Sequence, residues 1–465
     1  MLTAIHWIYL LFIVIVILFM IFRKHVVFPC LVGLFLIALT FSGSLLAAVQ
    51  GMFTALFIAG TELFDIMLVI GLMVAMLKSL EAMGADYKMM YPVRGIMKTP
   101  GMAFFVIGVV MYLAAIFFWP TPATALVGTL LIPVAIKAGL PAMGAAMAVN
   151  IFGHGAALSG DPVIQGALRL SSDAAGVPVE AIFSRALVLS LVAGVVALII
   201  AFIMIQKDIK AAREGKKAEA EEGGLEVGID DDKLEKKEFG QYAGAFAIGV
   251  PIVLLAVIIT MVAMEIRGGA ATALLGGAAI VLLLAASLLH HGADKAMGKT
   301  VDYLREGLIF GIKIFTPVIP IAGFFFLGSP TIAPEILGEG APGLLFDLGE
   351  AFAGAIPLGT IPVAIGILVL GIITGLDGSG FSGLPLTGGM AMALGEPLGI
   401  DVASLAALGQ MGSIWTGGGT LVAWAFGLVA TAGIAGVDPL ELARRNFVPV
   451  MGGLLAALIV AIIMM

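Results

Sequence analysis

Apolar and polar positions along this chain fall into long blocks and do not alternate. A spanning helix needs about 20 mostly apolar residues, and the first half offers such runs near 4–22, 26–43 and 62–80. Two shorter apolar arms follow at 102–118 and 122–137, joined by Trp119-Pro120-Thr121-Pro122, then runs at 142–160 and 182–205. After a polar stretch the order repeats: 242–264, 270–289 and 308–327, a Pro/Gly-rich segment at 328–357, arms at 360–374 and 384–395 around Leu376–Gly383, and long apolar stretches at 402–432 and 446–464. Continuous runs predict helices and argue against a β-barrel, whose strands would alternate. The first run ends in Arg23-Lys24 without a small-residue cleavage site, so it reads as an uncleaved span and not a signal peptide.

Composition fixes the class. Of 465 residues, 61% are hydrophobic and 12% charged, against roughly 45–50% and about 25% in soluble domains. This excludes a soluble enzyme, a disordered chain and a nucleic-acid binder, and predicts an all-α polytopic membrane protein of the cytoplasmic membrane, with the bilayer as its partner and no cofactor. The single cysteine, Cys30, excludes a disulfide framework or a cysteine metal centre. The net charge of −7 is partly local: Lys207–Glu238 holds 8 Lys/Arg and 11 Asp/Glu, leaving 16 and 20 for the rest. Such a run is a solvated linker. It divides the chain into a first repeat at 1–205, a cytoplasmic linker at 206–240 and a second repeat at 241–465.

The distribution of Lys and Arg decides how the arms cross. If each arm pair enters and leaves on one side, each half has five crossings and the second half is inverted. Arg23, Lys24, Lys78, Lys88, Arg94, Lys98, Lys137, the linker, Lys295, Lys299, Arg305, Arg444 and Arg445 then all face the cytoplasm, with only Arg169, Arg185 and Arg267 outside. The expected fold is therefore two inverted repeats, each with a re-entrant hairpin (about 102–137 and 360–395) and a broken helix (about 142–160 and 402–432). The halves share element order more than residues: offsets of 251 and 259 superpose only a few positions, such as Gly60 on Gly311 and Gly153 on Gly412.

Irregular backbone at membrane depth survives only where protein or a water-filled cavity satisfies it. Four segments qualify: the tips at Pro120–Thr124 and Asp377–Gly383, and interruptions expected at Asn150–Asp161 and Gly409–Thr420. Each mixes glycine with hydroxyl or amide side chains. Free N–H groups at a half-helix start hold carboxylates, and free carbonyls with hydroxyl oxygens hold Na⁺. The close-packing role of glycine in membranes is the competing reading. Asp377, without a basic neighbour in sequence, reads as a proton or Na⁺ carrier or as a helix cap. His154 reads as a proton carrier or as a hydrogen-bonded structural residue. Asp161 stands between cap and site, Lys313 between anion counter-charge and snorkelling. Glu62 and Asp65 read as interfacial, and His290-His291 lack further metal ligands. No phosphate-binding GxxxxGK[ST] loop is present, which argues against ATP-driven transport.

Hairpin tips followed by glycine-broken spans in two inverted halves resemble the ion transporter superfamily, which includes carriers of citrate, C4-dicarboxylates, gluconate and lactate and some Na⁺/H⁺ antiporters. The tips here read Thr121-Pro122-Ala123-Thr124 and Ser379-Gly380-Phe381-Ser382, without the Asn common in that superfamily's tip motif. The resemblance implies secondary active transport of a small organic anion, a carboxylate, coupled to H⁺ or Na⁺, and a homodimer. It implies substrate or ion contacts at Thr121, Thr124, Ser379 and Ser382, joined by Asn150 and Thr416; His154, Ser159, Asp377, Gln410 and Ser413 complete the candidate set from the breaks themselves. No metal other than Na⁺ at the tips is expected. The alternatives are a Na⁺/H⁺ or other cation/proton antiporter, and an uncoupled channel or scaffold subunit.

Overall fold

The computed structural model describes the chain except for Met1, Arg23, 214–238, Glu265, Arg267, 356–358, Asp377, Ser379 and Trp424. Among the described residues there is no strand. Seven helices are long and apolar enough to cross a bilayer, or eight if the bent pair Ala293–Lys313 and Val318–Phe326, at 46°, is one span. Shorter apolar helices cover Ala4–Val16, Val27–Ser42, Leu45–Thr61 and Thr360–Gly375. The chain is a multi-span, all-helical membrane protein.

Local chemistry sets the helix ends. Ser44, Thr99, Asp401 and Asp438 each accept an N–H of the first turn that follows, a cap worth about 1 kcal/mol. Left-handed glycines close several helices, among them Gly43, Gly84 and Gly399.

The helices group around two centres. In one, Leu45–Met83 packs against Val27–Ser42, Gly268–His291, Ala293–Phe315 and Val318–Phe326. Backbones touch here: a Cβ on Gly311 would lie 2.6 Å from the Met67 carbonyl oxygen, and one on Gly71 3.1 Å from that of Gly307. This is the small-residue packing that membranes favour where no hydrophobic force drives helices together. The sequence reading begins a span at 62 and leaves 44–61 outside it. The structure instead runs one helix through both, since no Pro interrupts Leu45–Met83.

The other centre holds both arm pairs. Pro100–Phe118 turns at Trp119 into Pro120–Lys137, which contains a π-helical stretch at Thr124–Gly128. Thr360–Gly375 and Leu384–Leu398 form the second pair. Each is followed by a half-helix, a break, a second half-helix and a long helix. These are Ala142–Gly160, Gly166–Ala175 and Val179–Arg213 in one set, and Val402–Gly417, Phe426–Ala435 and Pro439–Met464 in the other. Packing is reciprocal: Gly166–Ala175 lies on Leu384–Leu398, and Phe426–Ala435 lies on Thr124–Gly128. The two long helices pack together and run antiparallel, with Arg445 near the start of one paired to Asp208 near the end of the other at 3.4 Å.

The breaks are displaced from their expected positions. Asn150–Ala157 stays helical, widened to π turns, and the chain breaks at Asp161–Gln165. Val402–Gly417 stays helical through Gly409 and Gly412, and the break begins at Gly418. The reason is packing: a Cβ on Gly412 would lie 2.7 Å from the Leu368 carbonyl, and one on Gly375 2.6 Å from that of Ser413. These glycines admit the arm Thr360–Gly375 against the helix and do not interrupt it. The half-helix Gly166–Ala175 has no counterpart in the sequence reading, because it is short and carries Ser171, Ser172 and Asp173.

Candidate functional site

Both tips and both broken spans reach one cavity. At the first tip Trp119 adopts φ +70°, and Pro120 opens the second arm. A bulky residue in that conformation is strained by on the order of 1–3 kcal/mol. The Trp119 ring packs against Phe381 of the second tip, tilted by 45° at 5.1 Å between centroids, and Phe381 meets Phe315 edge-on at 6.0 Å. The second tip turns through left-handed Gly378 and Gly380. A Cβ on Gly380 would lie 2.7 Å from the Gly418 nitrogen, so only glycine allows this approach.

The first break is capped from within. Asp161 accepts the N–H groups of Gln165 at 3.0 Å and Ala167 at 2.9 Å, satisfying the start of Gly166–Ala175. Asp161 is thus a helix cap. The second break is held from outside: Asn446 on Pro439–Met464 donates to the Thr420 carbonyl at 3.0 Å, while the Thr420 hydroxyl donates to the Trp415 carbonyl.

The cavity measures about 270 Å³ and includes Trp119, Thr121, His154, Phe310, Lys313 and Phe381 in its wall, with Gly378, Gly418 and Gly427. Thr121 and His154 are the expected site residues that it brings together. His154 is 1% exposed, and among the described residues neither ring nitrogen has a hydrogen-bond partner. Its ring fills a slot in the opposite break: a Cβ on Gly419 would lie 2.9 Å from Cδ2, and one on Gly427 would overlap the ring. Asn150, Thr416 and the Trp415 indole N–H are also buried without partners among the described residues, and buried polar groups are seldom left so. None of the three is in the cavity wall.

Four expected site residues are committed to structure. Thr124 donates to the Pro120 carbonyl at 2.8 Å. Ser159 donates to Ser190 at 3.0 Å. Gln410 accepts from Ser171 at 2.7 Å and donates to the Ser159 carbonyl at 2.8 Å, tying the two breaks together. Ser413 donates to the Gly380 carbonyl at 3.1 Å and so fixes the second tip. Ser382 is buried. Asp377 and Ser379 lie outside the described residues.

Lys313 and Phe310 join the cavity from Ala293–Phe315, a helix of the other packing centre. The sequence reading favours snorkelling for Lys313, because its lone position one turn inside the membrane gives no sign of the wall it meets. Trp119, beside the first tip, reads from the sequence as a residue that lines or gates the site, and it is in the wall, whereas Phe381 reads only as part of the second tip. On the far side of this interface Arg169 on Gly166–Ala175 pairs with Asp65 on Leu45–Met83. Among the described residues no group of three or more His, Cys, Asp or Glu side chains could hold a metal ion.

Several apolar helices, with two broken ones around a shared cavity, define a polytopic membrane protein. Along 99% of its length the chain is 41% identical, over 469 residues, to the uncharacterized membrane protein YhfA of Bacillus subtilis, covering 98% of that protein, and it belongs to the YhfA family. No family model matches it. Among solved structures it is similar to MtrF of Neisseria gonorrhoeae, described as illuminating a class of antimetabolite efflux pumps, with a TM-score of 0.55, 13% identity, and coverage of 91% of this chain and 85% of that one. At that identity the likeness shows a shared fold.

Proposed function

We propose that this protein is a secondary active transporter of a small organic anion in the cytoplasmic membrane. One observation carries the reading: two hairpin tips and two broken spans, remote in sequence, meet at one cavity that also receives the cation Lys313. An anion entering a largely apolar wall loses its water and needs compensating charge, which a lysine supplies. The fold of MtrF, itself described among efflux pumps, supports transport as the class. We read the two sets of hairpin, broken span and long helix as inverted repeats, the plan of the ion transporter superfamily, and their reciprocal packing supports that.

Uptake of radiolabelled carboxylates into proteoliposomes, under imposed H⁺ or Na⁺ gradients, tests the function. Lys313→Gln is expected to lower uptake at least tenfold with normal membrane insertion. No uptake across a broad carboxylate panel, together with Na⁺-dependent proton movement, would replace this reading by the antiporter. Topology has its own test, because the sole cysteine, Cys30, is buried. Cysteines introduced as Gly215→Cys and Gly340→Cys are expected to label from opposite sides, and labelling from one side defeats the inverted arrangement.

A further inference from the structure

We infer that His154 takes up a proton when the cavity binds its anion, so that proton and anion travel together; this rests on the reading of the cavity as an anion site.

The geometry comes first. His154 is in the cavity wall, 1% exposed, with no hydrogen-bond partner for either ring nitrogen among the described residues. The slot formed by Gly419 and Gly427 holds the ring from the opposite repeat and leaves no room for a larger neighbour. A neutral imidazole offers one donor and one acceptor, whereas the protonated ring offers two donors. Trp119, Phe310 and Phe381 make much of the remaining wall apolar, so an anion there is stabilised by each positive charge within reach. A protonated His154 provides such a charge together with an N–H to the ligand. Asn150 and Thr416, also unpartnered, are in no position to do this, since they carry no charge and lie outside the wall.

Few other groups compete for the proton. The elements packed on Asn150–Ala157 include Val402–Gly417, Phe426–Ala435, Pro120–Ala123, Ala142–Val149 and Leu158–Gly160, none of which carries an ionisable side chain. Pro100–Phe118 carries Tyr112. Val179–Arg213 carries its ionisable groups near its ends, Glu180 and Arg185 at one and Lys207, Asp208, Lys210 and Arg213 at the other, with Arg185 paired to Asp401. The cavity adds Lys313, and Asp377, next to Gly378, lies outside the described residues. The proton comes from water as the anion binds, forms the second ring N–H, and returns to water when the anion leaves. No covalent bond of the cargo changes.

The test uses the full chain in nanodiscs and a panel of C2–C8 carboxylates that includes benzoate. Protons taken up per bound ligand are counted by titration calorimetry in buffers of different ionisation enthalpy. About one proton per ligand is expected slightly above neutral pH, with affinity falling up to tenfold per pH unit there. His154→Gln is expected to bind without proton uptake and with pH-independent affinity, while Lys313→Gln binds more weakly but still takes up the proton. Wild-type binding with no uptake, a count that needs no variant, overturns the inference and leaves anion transport standing. So does uptake that persists in His154→Gln and vanishes in Asp377→Asn. No binding anywhere in the panel overturns the anion reading and this inference with it.

Discussion

The two hairpin tips face the same cavity with opposite mechanics. The first turns at Trp119 and enters its second arm through Pro120, with no glycine at the corner and one strained residue. The second turns through Gly378 and Gly380, both left-handed, and the Ser413 hydroxyl donates to the Gly380 carbonyl. The breaks behind them also differ. Asp161 caps the first within its own segment, while Asn446 of another helix donates to the second. The second tip thus has a glycine's backbone adjustability, which the corner of the first lacks.

The largest expected effect comes from removing that adjustability. Gly380→Val places a Cβ against the Gly418 nitrogen and forces a β-branched residue to positive φ. A cost of about 3 kcal/mol or more is expected, with at least tenfold slower uptake in proteoliposomes. Asp161→Ala comes next, since it strips the cap from Gly166–Ala175 and leaves two buried N–H groups without acceptors. About 2–3 kcal/mol is expected, read as a fall in thermal unfolding temperature in detergent. Asn446→Ala removes one donor from the Thr420 carbonyl and is expected to cost about 1 kcal/mol by the same measurement. An equal cost for Asn446→Ala and Asp161→Ala would erase the contrast between the breaks. Trp119→Gly sets two terms against each other: relief of about 1–3 kcal/mol of backbone strain offsets only part of the roughly 3–5 kcal/mol lost with a buried ring, so the net cost is smaller than the ring alone would give. Its consequence belongs in the range of anions accepted, which uptake competition would show.

Much of this layout could be read from the chain. Long apolar runs gave the spanning helices, and Pro120 with the Gly378–Gly383 cluster marked the corners. The breaks were harder because glycine carries two messages. At Gly409 and Gly412 it permits close backbone approach, while at Gly418 and Gly419 the helix does end. Only the partner helix distinguishes the two cases, and no local pattern records it. The same limit applies to the site. His154 was visible from its chemistry, whereas Lys313 became a cavity residue only when its helix was placed beside the tips. Thr124, Ser159, Gln410 and Ser413 have the residue types of a binding site, yet their hydrogen bonds go to protein groups.

Leu45–Met83 has a consequence of its own. At 39 residues it is about 58 Å long, nearly twice the roughly 30 Å of a hydrocarbon core. Its first half shows Leu45, Leu46, Val49, Phe53 and Phe57 to the outside, while its second half is enclosed, with Ile70, Met73, Ala75, Met76 and Leu80 buried. One continuous rod therefore passes from an exposed apolar flank into the protein interior. A charge introduced at Met73 is opposed by neighbouring helices and one at Phe53 only by whatever covers that flank, so a scan along this helix records where the protein interior begins.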